Sequence, residues 1–263
     1  GIPLFVRTGK GVRLTPAGEI LYSYVQNGYE TILRGEKKLR EMKGLESGEL
    51  RIGASDMTLR FFLLPYLQKF HEAYPKIKIT VTNGPTPETL RYMQEGRIDF
   101  GVVTSPVTGH EEVNVYPVRP IQDIFVAGYK FWEYKNRIIP LSELAEVPLI
   151  CLEKNTSTRR YMDQFLKESG VMIHPEIELA TSDMIVQFAR RNLGVASVVY
   201  DFAREALESG ELFELKIQKK IPERFICIVQ GSHATLSSAA QKLMEMIQED
   251  KVLESTSDKG IKE

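Results

Sequence analysis

From Gly48 onward, short apolar runs alternate with amphipathic stretches of helical period, and that alternation restricts the chain to strands of a parallel sheet covered by helices. Leu50-Arg51-Ile52-Gly53-Ala54 reads as a first strand, and a helix follows it through Leu63, Leu64, Leu67 and Phe70. Lys76 to Thr82 alternates as a second strand. Thr86-Pro87-Glu88 opens the next helix, Gly96 closes it, and Ile98 to Val103 forms a buried third strand. Asp123 to Tyr129 reads as a strand leaving this unit, and residues 148–217 repeat the alternation on their own. Phe225 to Val229 is a further strand, after which Leu236 to Ile247 returns to the first unit as an amphipathic segment. The expected fold is α/β in two lobes with two connections between them, which makes a hinge. Lobe I takes about residues 48–120 and 225–248, lobe II about 121–224, and the polar residues 249–263 form a flexible tail.

With 263 residues, 43% apolar and 26% charged, the chain can bury a sizeable core. A net charge of -1 supplies no global field toward nucleic acid, so any DNA affinity has to be local. No apolar run spans a bilayer and no charged-then-apolar leader is visible, so neither a membrane partner nor a non-cytoplasmic location is expected. Cys151 and Cys227 sit in strand-like apolar runs without CxxC spacing, as buried reduced thiols do. His71, His110, His174 and His233 are scattered without metal-ligand spacing, and there is neither a GxSxG elbow nor a phosphate-binding GxxxxGK(S/T) loop. No metal, cofactor or catalytic residue is expected.

Ahead of the lobes, Pro3 to Glu19 combines a basic hairpin with the start of a long helix. Leu4-Phe5-Val6 and Val12-Arg13-Leu14 are β-prone, and Thr8-Gly9-Lys10-Gly11 between them suits a tight turn. Arg7, Lys10 and Arg13 are expected to cluster at the tip, where they meet DNA phosphates or simply solvent. Thr15 can cap the helix and Pro16 fits its first turn. From there to about Leu45 the positions Leu21, Val25, Gly28, Ile32, Gly35, Leu39 and Met42 step by fours and threes, a heptad seam. Each glycine weakens the helix by ~1 kcal/mol relative to alanine, so their place on the seam favours a second helix passing close by. With Glu36, Lys37, Lys38, Arg40, Glu41 and Lys43 charging the remaining surface, a dimerising helix is expected and not one packed only on its own chain.

The run from Gly1 to Arg7, followed by Gly11-Val12-Arg13-Leu14-Thr15-Pro16-Ala17-Gly18-Glu19, resembles the LysR-type transcriptional regulators at the end of their winged helix-turn-helix and the start of their linker helix. The similarity continues to about Ile247. This resemblance implies a wing remnant over residues 1–14, a linker and dimerisation helix over 15–47, and an effector-binding domain over 48–248 with the type 2 periplasmic-binding-protein fold. It places the recognition helix before Gly1, so sequence-specific DNA binding belongs to the full protein. It also implies a homodimer or homotetramer and an allosteric response to a small molecule.

In open α/β sheets, ligands gather at the carboxyl ends of strands, where helix N-termini favour anions. Ser55, Asp56 and Thr58 follow the first strand, Thr104 and Ser105 the third, and Ser157, Thr158 and Thr181 precede helices of lobe II. Taken singly, each is an ordinary helix cap. Taken together and in register with the family, they imply a pocket for a small, anionic effector. Asp56 opposes an anion unless it caps a helix or pairs with Arg60 or Arg159. A stand-alone solute-binding protein would share the lobes and the cleft, without needing the hairpin or the seamed helix.

Overall fold

The computed structural model describes residues 1–9, 11–41, 48–107, 112–232 and 234–257. An antiparallel hairpin of β1 (Phe5–Thr8) and β2 (Gly11–Leu14) leads into α1 (Pro16–Glu41). Thr15 makes the junction: its hydroxyl accepts from the Gly18 N–H at 3.1 Å and donates to the Pro3 carbonyl at 2.7 Å. Only glycine fits at position 18, since a Cβ there would lie 2.0 Å from the Leu4 carbonyl oxygen.

Arg7 pairs with Val12 and Arg13 with Val6, so consecutive pairs put the two arginines on opposite faces of the ribbon. Lys10 lies outside the described residues. Along α1, Leu21, Val25 and Ile32 are exposed, and Gly28 and Gly35 face open space. No described residue covers these seam positions; Met42 and the Leu39 side chain lie outside the described residues. Near its far end the helix touches the first lobe through Arg34, whose guanidinium occupies the space a Cβ on Gly96 would need.

The first lobe begins with β3 (Gly48–Ala54), α2 (Asp56–Thr58), a π-helical turn (Leu59–Leu63) and α3 (Leu64–Ala73). It continues through β4 (Ile77–Asn83), α4 (Thr86–Gln94), β5 (Phe100–Thr104) and β6 (Val113–Ile121). The chain then crosses into β7 (Asp123–Ala127), β8 (Ile138–Ile139), β9 (Leu149–Leu152), α5 (Ser157–Glu168), β10 (Ile177–Leu179), α6 (Ser182–Arg190), β11 (Val195–Val199), α7 (Tyr200–Glu208), β12 (Phe213–Glu214) and β13 (Lys216–Ile217). It returns along β14 (Arg224–Gly231) and finishes with α8 (Ser238–Ser257). The backbone of α8 is therefore helical well into the segment expected to be a flexible tail.

Each lobe holds one five-stranded sheet, ordered β4-β3-β5-β14-β6 in the first and β10-β9-β11-β7-β12 in the second. Four strands of each run in one direction, and a single strand runs antiparallel to them, β14 in the first sheet and β7 in the second. The sheets are thus mixed where a parallel arrangement was expected, because the chain enters each lobe from the hinge side. Both faces of each sheet are covered. In the first lobe, Leu50, Ile52 and Val102 pack with Leu67, Phe70 and Leu243, while Val103 and Val229 pack with Leu90 and Met93 of α4. In the second, Phe125 and Leu149 face Met162 and Phe165 of α5, while Val126 and Ile150 face Ile185 of α6.

Gly53 and Gly101 let α4 approach its strands closely, since a Cβ at either would come within 2.7 Å of the Thr89 side chain. That close approach seats the N-terminus of α4 over the strand ends. Among the described residues, no helix is long and apolar enough to cross a membrane. Cys151 in β9 and Cys227 in β14 are both buried, as expected.

Candidate functional site

The two lobes face each other across a cavity of about 200 Å³ at the carboxyl ends of the parallel strands. From the first lobe it is lined by Ser55 and Asp56 after β3, Asn83 to Thr86 between β4 and α4, and Thr104 at the end of β5. From the second it is lined by Asn155 to Thr158 at the start of α5, by Thr181 and Ser182 at the start of α6, and by Phe202. Helices α4, α5 and α6 all begin here, and their first N–H groups have no carbonyl within the helix to bond. Thr156 caps α5 by accepting from the Arg159 N–H at 3.2 Å, whereas Thr181 makes no side-chain cap to α6.

One hydroxyl cluster bridges the lobes. Ser157 Oγ of α5 lies 2.9 Å from Thr104 Oγ1 and accepts from Thr86 Oγ1 at 3.1 Å. Two further contacts cross the mouth and flank: Arg60 reaches Asp183 at 2.6 Å, and Arg119 reaches Asp201 at 2.6 Å. The first of these is more than half exposed on both sides, so it contributes ~0 to 1 kcal/mol and is no lock on the cleft.

Ser55, Asp56, Thr104, Ser157, Thr158 and Thr181 are brought together around this cavity, while Thr58 and Ser105 are not. Thr58 is fully buried in a capping box with Ser55, and its hydroxyl donates to the Val102 carbonyl at 2.8 Å. Ser105 instead belongs to the hinge: its hydroxyl accepts from the Phe225 N–H at 2.9 Å and its carbonyl from Arg224 at 3.2 Å. Asp56 pairs with neither Arg60 nor Arg159. Its carboxylate accepts from the Asn83 side-chain amide, Arg60 pairs with Asp183, and Arg159 is buried against Asp163 and Glu178. Asn83 and Thr86 line the cavity without having been singled out as site residues. The strand-end rule that located Ser55 and Thr104 applied equally to Asn83 and Thr86.

No Lys, Arg or His lines the cavity among the described residues, and Asp56 and Glu153 are acidic. The positive potential at the cavity therefore comes from three helix N-termini and from hydroxyl donors.

Behind the site, a buried guanidinium ties the crossings together. Arg224, the first residue of β14, bonds both oxygens of Asp123, the first residue of β7, at 2.6 and 2.7 Å. Its Nη2 also donates to Thr158 Oγ1 at 3.2 Å, and the Tyr161 ring lies 4.6 Å from its Cζ. Burial holds the Asp123 carboxyl above its ordinary value, a rise that the charge and hydrogen bonds of Arg224 reduce without cancelling.

A family profile described as the LysR substrate binding domain matches residues 43–251. The HTH-type transcriptional regulator CbbR of Rhodospirillum rubrum is 25% identical over 235 residues, covering 89% of this chain and 77% of its own length. Among solved structures, the regulatory domain of CcmR from Synechocystis PCC6803 in complex with 2-PG superposes with a TM-score of 0.69 at 20% identity, over 76% of this chain and 96% of that one. The effector binding domain of QuiR in complex with shikimate superposes with a TM-score of 0.67 at 15% identity, over 76% and 95%.

Proposed function

This chain belongs to the LysR family of transcriptional regulators through its effector-binding domain, and on that premise we propose that its cleft takes a small organic anion whose binding resets the angle between the lobes. The observation that carries this reading is the convergence of three helix N-termini with hydroxyls of both lobes on one cavity. An anion seated there bonds to Thr104 from one side and to Ser157 and Thr181 from the other, so its affinity depends on the lobe angle. A ligand that binds one arrangement better shifts the population toward it. A coupling of ~1 to 3 kcal/mol is enough for a regulatory response.

On this reading residues 1–14 are the remnant of a wing, with Arg7 and Arg13 contacting the DNA backbone in the full protein. Residues 15–47 pair with the same helix of a second subunit, in a homodimer or homotetramer, and carry the change toward DNA. Residues 48–248 sense the ligand, and the role of the chain is binding and not catalysis, in the cytoplasm. The relatives named as transcriptional regulators support this, as do the two structural neighbours that hold 2-PG and shikimate.

The test is titration calorimetry with a panel of small carboxylates and phosphates, on the wild type and on Thr104→Val. Loss of one hydrogen bond to a charged ligand weakens binding by ~1.5 to 3 kcal/mol. Unchanged affinity in the variant removes Thr104 from the site.

A further inference from the structure

Beyond the central cavity, a second space of about 250 Å³ opens between α4 and α5, on the far side of the Thr86–Ser157 contact. The two spaces share Thr86 and Ser157 as their partition, so each has its own remaining wall. The chemistry of the second wall differs. Where the central cavity offers hydroxyls and two carboxylates, this one offers Pro87, Leu90, Pro106 and Val107, the face of Tyr161, and a single charged group, Arg160.

Arg160 is exposed on α5, with one bond of 3.3 Å to the Asn155 carbonyl. Among the described residues no carboxylate pairs with it, whereas its neighbour Arg159 is committed to Asp163 and Glu178. The Tyr161 ring is held in place before any ligand arrives: its hydroxyl donates to the Pro222 carbonyl at 2.8 Å and its face lies on Arg224. A rigid aromatic wall, proline edges and one guanidinium without a carboxylate among the described residues form the usual composition of a small-molecule pocket, apolar with a few placed polar groups. The guanidinium fork matches a carboxylate, and fixed apolar walls favour a flat body.

We infer that this groove is a second ligand site, separate from the central cavity, and that it takes an organic monoanion with a flat apolar body, its carboxylate on Arg160 and its ring against Tyr161. Because Tyr161 covers Arg224 and Ser157 forms part of the partition, an occupant lies against both the hinge pair and the hydroxyl bridge.

The probe is 4-fluorophenylacetate, followed by fluorine NMR on the whole chain, with circular dichroism to control for folding. Arg160 and Gln164 are exposed positions of α5, so Arg160→Glu and Gln164→Trp leave the fold in place. The expected result is binding at millimolar concentration that weakens about tenfold or more in either variant, and that stays within about twofold in Thr181→Val, which alters only the central cavity. Binding lost in Thr181→Val but kept in Arg160→Glu means that the probe sits in the central cavity, which overturns the second site and leaves the cleft reading intact. Absence of binding to the wild type also overturns it.

Discussion

Asp123 and Arg224, 101 residues apart in sequence, meet as a two-bond ion pair at the points where β7 and β14 begin, so one buried contact ties together both chain crossings of the hinge. The side chains are 0 and 1% exposed. Arg224 also donates to Thr158, which lines the central cavity, so one hydrogen bond joins the hinge pair to the cavity wall.

Arg224→Met removes the partner and strands a carboxylate in the interior. Breaking such a pair costs ~3 to 5 kcal/mol, which urea denaturation of the two proteins reads directly. The loss has a pH signature. The Asp123 pKa already lies above its ordinary value, and without Arg224 it rises further, so the variant's stability is fully present below the ordinary carboxylate range and is lost as pH rises through the folded pKa. The deficit relative to wild type therefore narrows on acidification. A deficit that is small and flat with pH contradicts the assignment.

The seam of α1 is open to solvent in the single chain, with Val25 and Ile32 58 and 63% exposed. If a second subunit covers it, Ile32→Glu buries an unpaired carboxylate at a cost of several kcal/mol and the oligomer dissociates. Sedimentation velocity at matched concentration checks this. A mutant that keeps the wild-type oligomeric state shows that the seam is not the interface.

Burial pushes the Cys151 thiol up to about 12. Thiolate is then scarce at neutral pH, and Cys227 is buried in the other sheet. Iodoacetamide should label neither residue in the native protein except through unfolding, and peroxide should leave ligand affinity unchanged. Rapid native labelling of Cys151 would show that its strand opens readily.

The alternation of apolar runs made both sheets readable, because central strands such as β5, β7, β9 and β11 are buried along their whole length. Val113 to Ile121 escaped, since Pro117 and Pro120 argue against a strand; β6 tolerates them because it lies at the sheet edge. Within the site, the strand-end segments were legible and the individual hydroxyls only in part. Ser55 and Thr58 are three residues apart and chemically alike, yet the capping box turns Thr58 inward toward Val102. Ser105 follows Thr104 directly but is drawn to the hinge by Phe225 and Arg224, partners more than 100 residues away. Contacts of that range set which neighbour faces a cleft, and no local pattern encodes them.

If one small anion is held by both lobes at once, residues far apart in the chain must respond to it together. Amide chemical-shift mapping on isotopically labelled protein, titrated with shikimate, citrate and inorganic phosphate, reads that response whatever the natural effector is. Whichever of the three binds most tightly is expected to shift Ser55, Thr104, Ser157 and Thr181 in concert, with a further change at Asp123 and Arg224 as the lobe angle resets. Saturable shifts confined to one lobe, or lying away from these residues, would show that the cavity does not join the lobes through a shared ligand.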